Sequence, residues 1–180
     1  MVGKMITLQE QSFQAFFDSP HAKRLSRLVL LLVGVGYGAI SIASNADYIS
    51  SFESALLRNA LVPLIFLLFG VLTAWLTKLG FSLLLWAGAK SIGGKGLLRQ
   101  ISLAVPVVLI PGLLAVPFLT GSGFGSPVYL PLLAVGLLWM YLISARVVQA
   151  VEGFTGKKAY IAASLALIFL ASVYYLVVPS

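Results

Sequence analysis

Apolar residues fill five long stretches of this chain, and short polar segments separate them. The stretches are residues 28–44, 59–89, 101–119, 128–148 and 160–178. A helix rises about 1.5 Å per residue, so even the shortest stretch covers roughly 26 Å, close to the thickness of a bilayer core. The pattern therefore predicts an all-α membrane protein. A bundle of five transmembrane helices, residues 28–180, follows a short N-terminal segment, residues 1–27.

The second stretch is longer than one ordinary span. It would form about 46 Å of helix, against a hydrocarbon core of roughly 30 Å. Only Lys78 interrupts it, and the part after Lys78 is too short to cross by itself. We therefore predict one long helix, bent or tilted near Gly80.

The turn that follows this helix is Gly93-Gly94-Lys95-Gly96. We predict that it ends the helix and reverses the chain rather than binding phosphate, because it lacks both the phosphate-loop spacing and a preceding strand.

The third stretch contains Pro106, Pro111 and Pro117. Each proline removes an amide donor and disfavours a straight helix, so this span is predicted to be kinked or partly unwound. Broken spans line substrate sites in some transporters. In other bundles they are curved packing elements that neighbouring helices tolerate. The sequence leaves both interpretations open.

Two further patterns predict helix packing. Phe13, Phe16 and Phe17 lie at i, i+3 and i+4, which predicts a short amphipathic interfacial helix. Its apolar face either enters the headgroup region or packs on the protein's own cytoplasmic side. Gly34 and Gly38 have the spacing that permits close helix approach, and we expect them to pack within the chain rather than to form a dimer.

The basic residues predict the orientation of the bundle. If the five stretches alternate in direction, Arg58 alone lies on one side, and ten of the twelve basic residues lie on the other. These ten are Lys4, Lys23, Arg24, Arg27, Lys90, Lys95, Arg99, Arg146, Lys157 and Lys158. By the positive-inside rule, the N-terminus is cytoplasmic and the C-terminus lies on the far side.

Composition agrees with a membrane location. Hydrophobic residues make up 60% of the chain and charged residues 9%, whereas a soluble domain is about a quarter charged. The net charge of +7 is spread between apolar runs without the aromatic interleaving of a nucleic-acid surface. The predicted partners are therefore membrane lipid and either a protein partner or a second copy of the chain, with no nucleic acid.

The inventory of reactive side chains is small. The chain has no cysteine, one histidine and five acidic residues. None of the acids lies within a predicted span, and none forms a carboxylate pair or a metal-ligand cluster. We therefore predict a protein that is not an enzyme and has no cofactor or metal. Lys78 is predicted to snorkel to the interface rather than to line a cavity.

The candidate residues fall into two groups. Those for docking a partner or anionic lipid are Lys78, Lys90, Gly93, Gly94, Lys95, Gly96, Arg99, Lys157 and Lys158. Those for a helix break are Pro106, Pro111 and Pro117.

Several of these motifs together resemble the Yip family of Ypt/Rab-interacting membrane proteins, in its compact bacterial-type branch. They are Asp18-Ser19-Pro20, the glycine turn 93–96, Pro106 in the following span, and Gly156-Lys157-Lys158-Ala159. The resemblance implies a non-enzymatic protein with five spans and a cytoplasmic N-terminus, here in a bacterial cytoplasmic membrane. Eukaryotic relatives assist vesicle traffic through small GTPases, using a longer N-terminal region than the one before residue 28.

Overall fold

The computed structural model describes residues 2–120 and 127–177, and all secondary structure in these residues is helical. The α-helices are α1 (Val2–Ile6), α2 (Glu10–Phe17), α3 (Ala22–Ser44), α4 (Ala46–Ser50), α5 (Val62–Ser91), α6 (Leu98–Val108), α7 (Val116–Leu119), α8 (Tyr129–Glu152) and α9 (Gly156–Val177). A π-helical turn, Leu57–Leu61, leads into α5, and a 3-10 turn, Pro111–Ala115, leads into α7.

The described residues contain three helices long and apolar enough to cross a membrane: Ala22–Ser44, Leu57–Ser91 and Tyr129–Glu152. The bent pair formed by α6 and residues 111–119 makes a fourth candidate if it counts as one span. These helices confirm an all-helical fold and indicate an integral membrane protein. The fifth span remains a prediction: α9 has 22 residues, and residue 178 of the predicted stretch lies outside the described residues.

The second span is one helix, as predicted. The π-helical turn and α5 together run from Leu57 to Ser91 over 35 residues. The helix continues without interruption through Gly80. Since 35 residues cover about 52 Å, this helix is much longer than the hydrocarbon core is thick.

The third span is broken, as its prolines predict. The segments before and after Leu109–Ile110 differ in direction by 51°. Pro111 begins the 3-10 turn, and Pro117 lies in the first turn of α7. At the break, the Leu109 carbonyl accepts a long hydrogen bond of 3.5 Å from the Tyr37 hydroxyl of α3.

Glycines bring α3 and α5 into backbone contact. A Cβ atom on Gly70 of α5 would lie 2.5 Å from the carbonyl oxygen of Gly34, and closer still to the amide nitrogen of Gly38. Gly34 and Gly38 are the two residues at the predicted close-approach spacing. They pack against a helix of the same chain, which confirms the intramolecular prediction.

The buried core lies toward one end of the bundle. At this end, one turn connects α5 to α6 and another connects α8 to α9. The largest fully buried side chains include Phe81, Leu85, Ile101, Ile143 and Val147. By contrast, much of α3, α5 and the first half of α8 exposes leucine, phenylalanine and tryptophan side chains. A surface so rich in exposed apolar side chains is expected in lipid and not in water. We call the densely packed end the basic end, because it carries Lys90, Lys95, Arg99, Arg146, Lys157 and Lys158.

The N-terminal helices α1 and α2 are part of this core. Phe13 and Phe16 are almost completely buried, and Phe17 is half-buried. Helix α2 packs on α8 and α1 packs on α6. Trp139 of α8 also donates a hydrogen bond of 2.8 Å from Nε1 to the Ile6 carbonyl. Of the two alternatives for the amphipathic face, the structure therefore supports packing on the protein itself.

Candidate functional site: a junction of two turns at the basic end

A glycine cap ends α5 and starts the first turn of the site. Gly93 has φ +93°, a left-handed conformation that glycine adopts without steric cost. The amide of Gly93 donates to the Lys90 carbonyl, and the amide of Gly94 donates to the Ala89 carbonyl. These bonds satisfy the last carbonyls of the helix. The predicted role of the glycines in helix termination is confirmed.

The rest of this turn encloses the carboxylate of Glu152, the last residue of α8. Glu152 Oε2 accepts a hydrogen bond of 2.6 Å from the amide of Gly96. A Cβ atom on Gly94 would lie 2.8 Å from Oε2, and one on Gly96 would lie 2.7 Å from Oε1. Gly94 has no room for a side chain, because its Cβ atom would also lie 2.7 Å from the Ala89 carbonyl oxygen. At Gly96 a side chain would displace the carboxylate and the Val151 side chain. One side chain thus connects two turns that are 56 residues apart in the chain.

The second carboxylate oxygen, Glu152 Oε1, is buried and has no hydrogen-bond partner among the described residues. Arg146 is the basic residue nearest to Glu152 along α8, but its Nη1 donates to Gln149 Oε1 at 3.1 Å. The described residues contain no group of three or more metal-ligating side chains. The arrangement around Glu152 therefore holds the two turns together and offers no set of metal ligands.

Most of the predicted docking cations surround this junction and point to solvent. Lys90, Lys95, Arg99, Lys157 and Lys158 are all exposed. Two of them also lie over aromatic rings: Lys90 Nζ is 5.9 Å from the centre of the Trp86 ring, and Lys158 Nζ is 5.8 Å from the centre of the Phe154 ring. Such cation–π contacts restrict where the charges lie.

Lys78 and the prolines lie apart from the junction. Lys78 precedes Lys90 by more than three helical turns, or about 18 Å along α5. It is half-buried and interacts electrostatically with Arg27, the last basic residue before the first apolar stretch. Pro106 lies within α6, while Pro111 and Pro117 follow the break. The structure therefore does not gather all the candidate residues into one site.

The fold and the site define an all-helical, membrane-type bundle with a basic, well-packed end. Comparison of the chain with protein-family models, with curated proteins and with solved structures finds no match.

Proposed function

We propose that this protein is a non-enzymatic membrane scaffold or accessory subunit of a bacterial cytoplasmic membrane. In this proposal the chain crosses the membrane five times, with a cytoplasmic N-terminus. The basic end then faces the cytoplasm and docks a partner protein or anionic lipid. The observation that carries the proposal is the junction at Glu152, since it holds two turns with exposed cations side by side at the end of the bundle that contains much of the buried core.

The packing around the junction supports a docking role. A surface that is already ordered loses less conformational entropy when a partner binds. Anionic partners are attracted to clustered lysines and arginines, and each basic residue near an anionic leaflet contributes about 1 kcal/mol. The resemblance to the Yip family belongs to the same proposal, because it implies a protein that acts through partners. Binding of small GTPases is not part of the proposal.

The alternative function is transport through the broken third span. The packing at the break favours a structural role instead. A Cβ atom on Gly112 would lie 3.0 Å from the Tyr37 hydroxyl and 3.1 Å from Met140 Sδ. On the other side, a Cβ atom on Gly136 would lie 2.8 Å from the Pro111 carbonyl oxygen. Neighbouring helices therefore fill this part of the break, and we propose that the prolines curve the span around them.

The orientation can be tested with single cysteines, because the chain has none of its own. We expect Lys95→Cys and Thr155→Cys to react with a membrane-impermeant maleimide only after the cells are permeabilised. The matched control, Ser54→Cys in the segment between α4 and the π-helical turn, should react in intact cells. All three positions are exposed, so a difference in labelling reports the side of the membrane. Labelling of Lys95→Cys in intact cells would contradict the proposed orientation.

Docking can be tested by charge reversal at the basic end. We expect a partner to copurify with the wild-type protein from native membranes in mild detergent. Lys95→Glu combined with Lys157→Glu should reduce its recovery about tenfold or more, since like charges placed at a complementary interface cost several kcal/mol. Arg58→Glu, at the other end of the bundle, should leave recovery unchanged. Docking of a protein partner is ruled out if the wild-type chain is recovered alone, or if the double variant and Arg58→Glu lose the partner equally.

A further inference from the structure

A cavity of about 240 Å3 lies beside the junction, between α2 and the end of α8. Phe13 and Gln14 of α2 line one side, and Arg146 and Gln149 of α8 line another. Phe154, in the turn before α9, also contributes to the lining. Since one water occupies roughly 30 Å3 in the liquid, the cavity has room for a small polar group and accompanying water.

The polar groups of this cavity are mainly hydrogen-bond donors. Arg146 is half-buried, and its guanidinium donates a hydrogen bond to a neutral carboxamide, that of Gln149. A guanidinium has five N–H donors in a planar fork, so one bond to Gln149 leaves most of them unused. Because Gln149 accepts that bond through Oε1, its amide group is a further donor. Gln14 adds a second carboxamide from α2.

A neutral carboxamide does not balance the charge of a partly buried guanidinium, whereas an anion bound in the cavity would lower the cost of burying that charge. A guanidinium fork matches the geometry of phosphate oxygens and binds them through two parallel hydrogen bonds. A second cation is close by, since Lys158 Nζ lies over the ring of Phe154. We propose that this cavity binds a phosphate group, with Arg146 as its main ligand and Gln14 and Gln149 as supporting donors.

The position of the cavity favours a phospholipid headgroup as the source of the phosphate. Trp139 is exposed about 10 Å before Arg146 along α8, and tryptophan is enriched where hydrocarbon meets headgroups. The inference rests on the proposed function only for the position of the basic end at the cytoplasmic leaflet. It adds the chemical group that is bound, a phosphate, and a cavity that is separate from the exposed lysines.

Native mass spectrometry of the full chain in detergent tests this site. With added phosphatidylglycerol, Arg146→Gln should weaken binding of the first lipid about tenfold or more, as expected for loss of charge-assisted hydrogen bonds. The control Arg58→Gln removes an exposed arginine that belongs to no proposed docking group, at the other end of the bundle, and should change binding by less than about twofold. Gln14→Leu alters an exposed residue of the cavity wall and should weaken binding about threefold, by loss of one hydrogen bond from a solvent-exposed amide. If Arg146→Gln does not fold, the binding measured for Gln14→Leu tests the proposal instead.

Two further additions distinguish the sources of the phosphate. If the first lipid requires Arg146 and millimolar glycerol 3-phosphate does not displace it, the ligand is a lipid headgroup. If glycerol 3-phosphate binds without lipid and requires Arg146, the ligand is a soluble phosphate compound. Unchanged binding of both ligands to Gln14→Leu and to a folded Arg146→Gln would overturn the proposal. The measurement needs neither a membrane orientation nor a partner, so its failure is distinct from failure of the scaffold proposal.

Discussion

Replacement of Gly70 by alanine is expected to separate α3 from α5 and to lower the free energy of unfolding by about 3 kcal/mol, the upper end of the range for overpacking a close-packed site. The added methyl group would overlap backbone atoms of Gly34 and Gly38. Backbone atoms cannot rotate away as a flexible side chain can, so the two helices must move apart. The contact between α3 and α5 is the most extensive between any two helices in the described residues. Moving these helices apart therefore weakens a large part of the packing of the bundle.

Gly80 provides a matched control in the same helix. A Cβ atom there would have nothing within 4 Å, so Gly80→Ala should leave stability unchanged or raise it by up to about 1 kcal/mol through helix propensity. Gly36→Ala should fall between the two, because its Cβ atom would meet only the end of the Leu113 side chain. Stability is measured as the midpoint of denaturation in mixed micelles. Equal midpoints for Gly70→Ala and Gly80→Ala would contradict the packing.

The same variants test whether the glycines of α3 serve a dimer. If Gly34 and Gly38 packed against a second copy of the chain, the Gly70→Ala monomer and the Gly80→Ala monomer would be equally stable. We expect the opposite, since loss of the contact with α5 affects the monomer itself. Size-exclusion chromatography with light scattering separates loss of folded monomer from loss of a dimer.

Much of the fold could be predicted from the sequence because single physical constraints determine it. An apolar run that is too long for one span and too short for two leaves one long helix, and α5 is that helix. Prolines remove amide donors wherever they occur, and the third span is broken between Pro106 and Pro111. A glycine at the end of an apolar run is the usual left-handed cap, and Gly93 has that role.

The arrangement of the site could not be predicted in the same way. An amphipathic face such as Phe13 and Phe16 indicates that something covers it, but not whether lipid or protein does so. The partner of Glu152 is a backbone amide, and every residue except proline has one, so no pattern of side chains identifies Gly96. The relevant signals were present but weak. Glu152 is the only acidic residue close in sequence to Lys157 and Lys158, and glycine at positions 94 and 96 leaves space for a carboxylate beside the backbone.

The distribution of the core also links the fold to the proposed function. In the proposed membrane bundle, lipid would cover the exposed apolar faces of α3 and of the first part of α5. At the basic end, α1 and α2 cover α6 and α8 instead, and the turns between the long helices are held in contact by Glu152. We therefore expect the rigidity of the proposed docking surface to depend on this one carboxylate more than on any of the exposed lysines.

Glu152→Ala is expected to open the junction and expose the turn 92–97 to proteases. The substitution leaves the amide of Gly96 without its acceptor, and a hydrogen bond to a charged group contributes about 1.5–3 kcal/mol. Trypsin cleaves after Lys95 and Arg99, which are exposed in and just after this turn. If cleavage follows the population of the open form, the rate should rise about tenfold or more, because each 1.4 kcal/mol corresponds to roughly a factor of ten.

Three further variants make this result specific to the junction. Glu53→Ala removes an exposed acid at the other end of the bundle and should leave the cleavage rate unchanged. Glu152→Gln keeps an oxygen that can accept the bond from Gly96, so its rate should stay closer to the wild type. Gly96→Ala places a methyl group 2.6 Å from Val151 Cγ1 and 2.7 Å from Glu152 Oε1, and should accelerate cleavage as Glu152→Ala does. If Glu152→Ala and Glu53→Ala gave the same rate, the carboxylate would have no part in holding the turns together.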